Sequence, residues 1–94
     1  MRLRYSGDAR HQILEIGEFI AQDSPTAAKR VVARIRDAAR LVASFPGIGR
    51  TGRSTGTREW ILSDLPYRIV YEVHDDGVMI LSVFHTARRR EDER

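Results

Sequence analysis

Arginines alternate with glycines through the middle of this chain, and arginine is the side chain best suited to bind an anion at two points. The stretch from Phe45 to Glu59 contains Arg50, Arg53 and Arg58, and fifteen of the sixteen basic side chains in the chain are arginine. The planar guanidinium stays charged when partly desolvated and pairs with carboxylate or phosphate groups. The stretch therefore predicts an anion site, with a turn-rich linker carrying solvated arginines as an equal alternative.

A further arginine, Arg68, lies in a predicted strand, 67–74. Alternation along a strand places Ile69 on one face and Arg68 on the other. There Arg68 could pair with Glu59 or Glu72, or bind an external anion. In an RNA-cleaving site, clustered arginines would stabilise the charge of a phosphate transition state.

Three histidines are present, and His85 has the most informative position, since it ends the last predicted strand where the chain turns basic. It could shuttle a proton beside the arginines, or simply bind a neighbouring backbone group. His11 and His74 are expected to be solvated. No spacing of His, Asp and Glu resembles a metal site, and the glycines fit neither a P-loop nor a dinucleotide fingerprint, so we expect no metal and no cofactor.

The composition is that of a globular protein, and we expect one domain spanning 1–94. The chain is 41% hydrophobic and 31% charged, with a formal charge of +3, a pI near 9.9 and no cysteine. No apolar run approaches the roughly 20 residues that cross a bilayer. These features predict a soluble, cytoplasmic protein that does not act at a membrane. The positive net charge allows an anionic partner.

Two amphipathic helices are predicted in the first half. Ser6 can cap a helix to about Gln22, and Ser24 with Pro25 can begin a second helix that ends near Ser44. The short break between them predicts an antiparallel hairpin. Gly17 costs about 1 kcal/mol against alanine within a helix, so we expect it to allow close approach of the other helix.

The remaining elements are predicted to be strands. They comprise a short edge strand around Leu3 and Tyr5, then 57–62, 67–74 and an internal strand, 78–85, with strict alternation along it. The glycines of 47–56 predict a surface loop with positions at positive φ. The order β-αα-βββ gives an α+β fold, a helical hairpin on a small antiparallel sheet. The mixed-charge tail, about 87–94, is expected to be mobile.

In order and spacing, these segments resemble the RelE/ParE superfamily, the toxins of bacterial type II toxin–antitoxin modules. The resemblance spans almost the whole chain and rests on the hairpin break at Ser24-Pro25 and on four short motifs: Phe45-Pro46-Gly47-Ile48-Gly49-Arg50, Gly56-Thr57-Arg58-Glu59, Pro66-Tyr67-Arg68-Ile69-Val70-Tyr71 and Ile80-Leu81-Ser82-Val83-Phe84-His85. It implies the fold derived above. It also implies a cognate antitoxin, acidic in the segment that crosses the hairpin and sheet, and a possible toxin–antitoxin hetero-oligomer.

The resemblance leaves three activities open. ParE-like members poison DNA gyrase and serve in plasmid stabilisation, and the glycine–arginine loop and the alanine-rich hairpin look more like that branch. RelE-like members are ribosome-dependent mRNA endoribonucleases; there Arg68 would be catalytic, with His85 where some relatives carry a catalytic histidine. A third class only binds its antitoxin.

The chain also departs from the ribonuclease pattern. The lysines of some RelE enzymes are absent around Trp60, and no tyrosine follows His85. Whether the chain is an enzyme is therefore left open by its residues. The target- or anion-binding candidates are Arg50, Arg53, Arg58, Arg68 and Arg88.

Overall fold

Two helices and five strands make up the computed structural model, which describes residues 2–87. Of the predicted tail, only Ala87 is among the described residues. The candidate Arg88 lies outside them. The elements are β1 (Arg2–Tyr5), α1 (Gly7–Ala21), α2 (Pro25–Ser44), a 3₁₀ turn (Pro46–Ile48), β2 (Arg50–Thr51), β3 (Thr57–Ile61), β4 (Tyr67–His74) and β5 (Gly77–His85). In this part of the chain, no helix is long and apolar enough to span a membrane.

Both helices begin at the predicted capping residues. The Ser6 hydroxyl accepts a hydrogen bond from the backbone N–H of Ala9 at 3.0 Å, and the Ser24 hydroxyl accepts one from Ala27 at 3.1 Å. Each cap satisfies a backbone donor that has no partner within the helix. Close approach at Gly17 is also confirmed, because a Cβ there would lie only 3.2 Å from Cγ2 of Val32.

The sheet has the order β1-β5-β4-β3-β2. The α+β class and the internal position of β5 are confirmed, but the sheet is mixed and not wholly antiparallel, since β1 pairs with β5 in parallel. The first strand lies beside the last, and the meander of β3, β4 and β5 brings β5 back in the direction of β1. The two-residue strand β2, inside the glycine stretch, is an addition to the predicted order.

A β-bulge interrupts the strict alternation that the sequence predicts for β5. Val70 pairs with Ser82 but Tyr71 pairs with Ile80, so Leu81 is an extra residue on β5. Beyond it the faces exchange: Val83 joins the core, and Ser82 and Phe84 face the other way. Predicting Ser82 and Phe84 on the face of Ile80 was therefore wrong.

Helix α1 holds the bulge in place. The Ser6 hydroxyl donates to the carbonyl of Leu81 at 2.8 Å, and the backbone N–H of Val83 donates to Oε1 of Gln12 at 2.8 Å. Strand β1 ends at Tyr5, so beyond that point the side chains of Ser6 and Gln12 form hydrogen bonds with the backbone of β5 in place of a neighbouring strand. The helix thereby fixes which residues of β5 face which side.

The core lies between the helical hairpin and one face of the sheet. Its buried side chains come from both helices and from β4 and β5, and include Ala9, Ile13, Ile35, Ala38, Ala39, Val42, Tyr67, Ile69, Tyr71, Val78, Ile80 and Val83. Burial of each large aliphatic side chain contributes about 1.5–3 kcal/mol. The face turned away from the helices, here called the outer face, carries Thr57, Glu59, Arg68, Val70, Ser82 and Phe84.

Candidate functional site

The arginine loop, residues 49–58, leaves the end of α2 through the 3₁₀ turn and returns into β3. Among the described glycines only Gly56 has a positive φ, +82°. The expectation of several such positions was therefore wrong. Gly49 and Gly52 are needed for close approach instead: a Cβ on Gly49 would lie 2.5 Å from the Tyr71 hydroxyl, and one on Gly52 would collide with Oγ1 of Thr57.

Three hydrogen bonds hold the first part of this loop. The Tyr71 hydroxyl accepts from the N–H of Gly49 at 2.9 Å and donates to the carbonyl of Pro46 at 2.7 Å. Nη1 of Arg58 donates to the carbonyl of Gly49 at 2.8 Å. Burial raises the pKa of Tyr71 above its usual value, while the Gly49 hydrogen bond and the nearby Arg58 charge act in the opposite direction.

A buried carboxylate holds the second part of the loop. Glu59 is 2% exposed, and its Oε2 accepts from the backbone N–H of Arg53 at 3.3 Å. Its Oε1 lies 3.5 Å from Nη2 of Arg50, whose side chain is 60% exposed. Arg50 and Arg53 therefore present guanidinium groups at the surface, whereas the guanidinium of Arg58 is directed to the loop backbone.

Arg68 lies on the outer face and is only 6% exposed. It pairs with Phe84 across the sheet, and its guanidinium carbon lies 5.8 Å from the centre of the Phe84 ring, a cation–π geometry. A cleft of about 340 Å³ lies on the same face, lined by Arg53, Thr57, Glu59, Ser82, Phe84 and neighbouring residues. The predicted placement of Arg68 on the face opposite Ile69 is confirmed.

His85 lies on the opposite face from Arg68. His85 pairs with Tyr67, one position along from the pair of Arg68 with Phe84, and successive strand residues point to opposite faces. The imidazole packs edge-on against Tyr67, with ring centres 5.5 Å apart, and its Nδ1 accepts from the N–H of Ala87 at 3.1 Å. The structure therefore does not bring together Arg68 and His85, the two residues that would be catalytic if the chain were a ribonuclease.

The other two histidines each form an exposed pair with a glutamate. His11 lies 3.6 Å from Glu15 on α1, and His74 lies 3.1 Å from Glu72 on β4. Within residues 2–87, no group of three or more His, Asp or Glu side chains is arranged to hold a metal ion. The described chain thus offers anion-binding chemistry through guanidinium groups.

A second surface was not predicted from the residues: a groove of about 790 Å³ between α1 and α2. Small side chains form much of it, and Gly17, Ala21, Ala28 and Ala33 were the sequence signal that could have indicated it. Leu14, 59% exposed, lies on its wall. The basic side chains Arg10, Lys29 and Arg36 also line it, against a single acidic one, Glu18.

The chain is similar to known toxins of type II toxin–antitoxin systems. A family model described as the ParE toxin of the type II toxin–antitoxin system parDE matches residues 3–90. The chain is 46% identical over 84 residues to the putative toxin Y4kP of Sinorhizobium fredii, covering 89% of this chain and 86% of that protein. It is 40% identical over 73 residues to toxin RelE2 of Caulobacter vibrioides, covering 78% and 81%.

Solved structures share the fold at low sequence identity. A chain of the chromosomal ParDE system of P. aeruginosa superimposes with a TM-score of 0.80 at 20% identity, covering 90% of this chain and 95% of that one. The isolated RelE toxin of E. coli gives a TM-score of 0.66 at 19% identity, with 97% and 89% covered. At such identities these likenesses establish the fold alone.

Proposed function

The chain belongs to the ParE toxin family of type II toxin–antitoxin systems, within the RelE/ParE superfamily, and we propose that it inhibits DNA gyrase by binding. The observation that carries this proposal is the separation of Arg68 from His85 by the thickness of the sheet. A binding toxin needs a charged, ordered surface, which the arginine loop provides. A nuclease needs an acid and a base within reach of the same phosphate.

The outer face offers little acid–base chemistry beside Arg68. The histidine on that face, His74, lies six residues along β4, about 20 Å away at the usual strand rise, and it is paired with Glu72. The Glu59 carboxylate is nearer, but it is buried and holds the N–H of Arg53. This arrangement favours recognition over proton transfer.

A supercoiling assay tests the gyrase proposal. Purified protein should block supercoiling by DNA gyrase or trap cleaved DNA, and prior addition of the cognate antitoxin should prevent the effect. Arg53→Ala, which keeps the backbone N–H bound to Glu59, should raise the half-inhibitory concentration roughly tenfold or more, because hydrogen bonds to charged groups contribute about 1.5–3 kcal/mol. Arg30→Ala, an exposed arginine on α2, is the matched control. Folded protein without any effect on gyrase would contradict the proposal.

A ribosome-dependent endoribonuclease is the second candidate. It is favoured by the 40% identity to a protein named toxin RelE2 and by the position of Arg68 on the face that carries the polar cleft. Primer extension on translated mRNA would then reveal cuts in the ribosomal A site, lost in Arg68→Lys, which keeps the charge but not the planar fork. Absence of cuts by the unaltered protein would remove this candidate.

Members of this family act with an antitoxin partner, and we propose the α1–α2 groove as its docking surface. The groove combines an apolar wall with three basic side chains and one acidic one. That lining complements an amphipathic helix with acidic residues along its polar side, the helix-in-groove mode of recognition. Antitoxin and target would then use different surfaces of the toxin.

A further inference from the structure

Two motifs that are far apart in the sequence meet at one glycine. Gly49 lies in the motif Phe45–Arg50, and Tyr71 ends the motif Pro66–Tyr71, twenty-two positions after Gly49. The Tyr71 hydroxyl binds both ends of the 3₁₀ turn, through the carbonyl of Pro46 and the N–H of Gly49. The turn that leads into the arginine loop is therefore fastened to the sheet by one side-chain oxygen.

The position of that oxygen is set by the core. Tyr71 is completely buried and lies on β4, the middle strand of the sheet, with β5 on one side and β3 on the other. A ring packed in this way has little rotational freedom. Its hydroxyl is consequently a fixed point for a loop whose glycines would otherwise allow many backbone conformations.

The glycine and Arg58 complete the attachment. A Cβ on Gly49 would lie 2.5 Å from the Tyr71 hydroxyl and 2.9 Å from the carbonyl of Glu59, so only glycine permits this contact without a shift. Arg58 pairs with Tyr71 across the sheet and donates to the Gly49 carbonyl. Both polar backbone groups of Gly49 thus have side-chain partners on neighbouring strands.

We infer that the Tyr71 hydroxyl is a positioning group that holds the arginine loop in one arrangement, so that Arg50 and Arg53 meet the target already ordered. Tyr71 is buried and does not itself contact a partner. A loop ordered in advance loses less conformational entropy on binding, which strengthens binding without adding contacts. The inference relies on the proposed function only in assigning the loop to target recognition.

The first test compares two hydroxyl deletions on one strand. Tyr71→Phe removes the oxygen and keeps the ring, and Tyr67→Phe makes the same change on the same face without altering the contacts to Pro46 and Gly49. Residue-resolved amide exchange should show protection at Gly49 falling roughly tenfold in Tyr71→Phe, with α1 and α2 unchanged and Tyr67→Phe like the unaltered protein. Equal protection of Gly49 in all three proteins would overturn the inference.

The second test measures function at a temperature at which all three proteins are folded. The half-inhibitory concentration for gyrase should rise roughly three- to tenfold in Tyr71→Phe, while antitoxin affinity stays within about twofold. A role confined to global stability would leave inhibition by the folded protein unchanged. Equal inhibition by Tyr71→Phe and the unaltered protein would therefore contradict the positioning role.

The two proposals fail in distinguishable ways. If the unaltered protein does not inhibit gyrase, the gyrase assignment fails, and Gly49 exchange together with growth arrest on expression still decides the role of Tyr71. Loss of both Gly49 protection and growth arrest in Tyr71→Phe, but not in Tyr67→Phe, supports the inference for whichever target the toxin has. If Tyr71→Phe retains either the protection of Gly49 or the growth arrest, the positioning role of Tyr71 is overturned.

Discussion

The α1–α2 groove and the arginine loop are both basic, but they are built in different ways. The groove is formed by side chains of two regular helices, and Leu14 on its wall is largely exposed. The loop contains only the two-residue strand β2 and the start of β3 as regular structure, and side-chain hydrogen bonds to Tyr71, Arg58 and Glu59 hold its backbone. Covering an apolar surface with a partner lowers the free energy of the complex. An ordered charged surface instead selects the partner and its orientation.

Because the two surfaces are built differently, we expect that antitoxin binding at the groove and target binding at the arginine loop can be separated by substitution. Substitutions in the apolar wall of the groove should leave the loop undisturbed, because the side-chain hydrogen bonds that hold the loop involve no groove residue. Hydrogen bonds that join the helices to the rest of the fold lie elsewhere: Ser6 and Gln12 at the bulge, and Arg34 with Asp64. Four substitutions test the groove, the loop and the hydrogen bonds that join the helices to the rest of the fold, from the largest expected effect to the smallest.

The largest effect is expected from a charge in the groove. Leu14→Glu removes an apolar side chain and opposes an acidic partner, so affinity for the cognate antitoxin should fall about 100-fold, since a buried leucine contributes about 1.5–3 kcal/mol. Target inhibition by the free toxin should not change. Phe19→Glu, on the same helix, 72% exposed and outside the groove, is the control. Equal losses in both variants would refute the groove as the docking surface.

Gly49→Ala should have the next largest effect, through sterics alone. The backbone of Gly49 has φ −72° and ψ 150°, which alanine adopts readily, but its Cβ would collide with Tyr71 and the Glu59 carbonyl. Overpacking of this kind costs about 1–3 kcal/mol, or roughly 4–8 °C in Tm for each kcal/mol. Gly47→Ala, with open space around its Cβ, should leave Tm nearly unchanged. Similar Tm values for the two would contradict the close packing at Gly49.

Gln12→Ala tests the link between α1 and the bulge. It leaves the N–H of Val83 without its side-chain acceptor, which should lower the free energy of unfolding by about 1 kcal/mol and speed amide exchange at Val83. His11→Ala changes the neighbouring exposed position and should stay within about 0.5 kcal/mol of the unaltered protein. If Val83 exchange is the same in both variants, α1 does not stabilise the bulge.

The smallest effect is expected at the ion pair between α2 and the β3–β4 turn, where Arg34 contacts Asp64 at 2.6 Å. The hydrogen bond from Arg34 lowers the pKa of Asp64 below its ordinary value of 3.8. The stabilisation is therefore present above pH 3.8 and disappears as the pH falls through the lowered pKa. Because the pair is exposed, Asp64→Asn should reduce Tm only slightly at pH 7, and the two Tm curves should converge on acidification. A difference that grows toward low pH would reverse the assigned sign.

Local signals were sufficient for most of the fold. Ser6, Ser24 and Pro25 act within a few residues of where they stand, and they marked the helix starts correctly. The bulge at Leu81 could not be predicted in this way, because it is stabilised by Ser6 and Gln12, whose hydrogen-bond partners Leu81 and Val83 lie more than seventy positions away from them. One extra residue there exchanged the faces of Ser82, Val83 and Phe84.

The candidate site was predictable in part. Arg50, Arg53 and Arg68 were identified from residue type and spacing, since a guanidinium has the same chemistry wherever it lies. Their environment was not: Glu59 beneath Arg50 and Phe84 beside Arg68 follow from strand pairing. The roles of these arginines, and of Arg88 outside the described residues, stay predictions.

By itself, the sequence determined the helical hairpin, four of the five described strands and a set of arginines able to bind anions, because capping, periodicity and side-chain chemistry are local properties. Only the tertiary structure decided which of those residues share a surface. It placed Arg68 and His85 on opposite faces, directed Arg58 to the loop backbone, and brought Tyr71 to Gly49. Such contacts depend on strand register and long-range packing, which no short stretch of the chain encodes on its own.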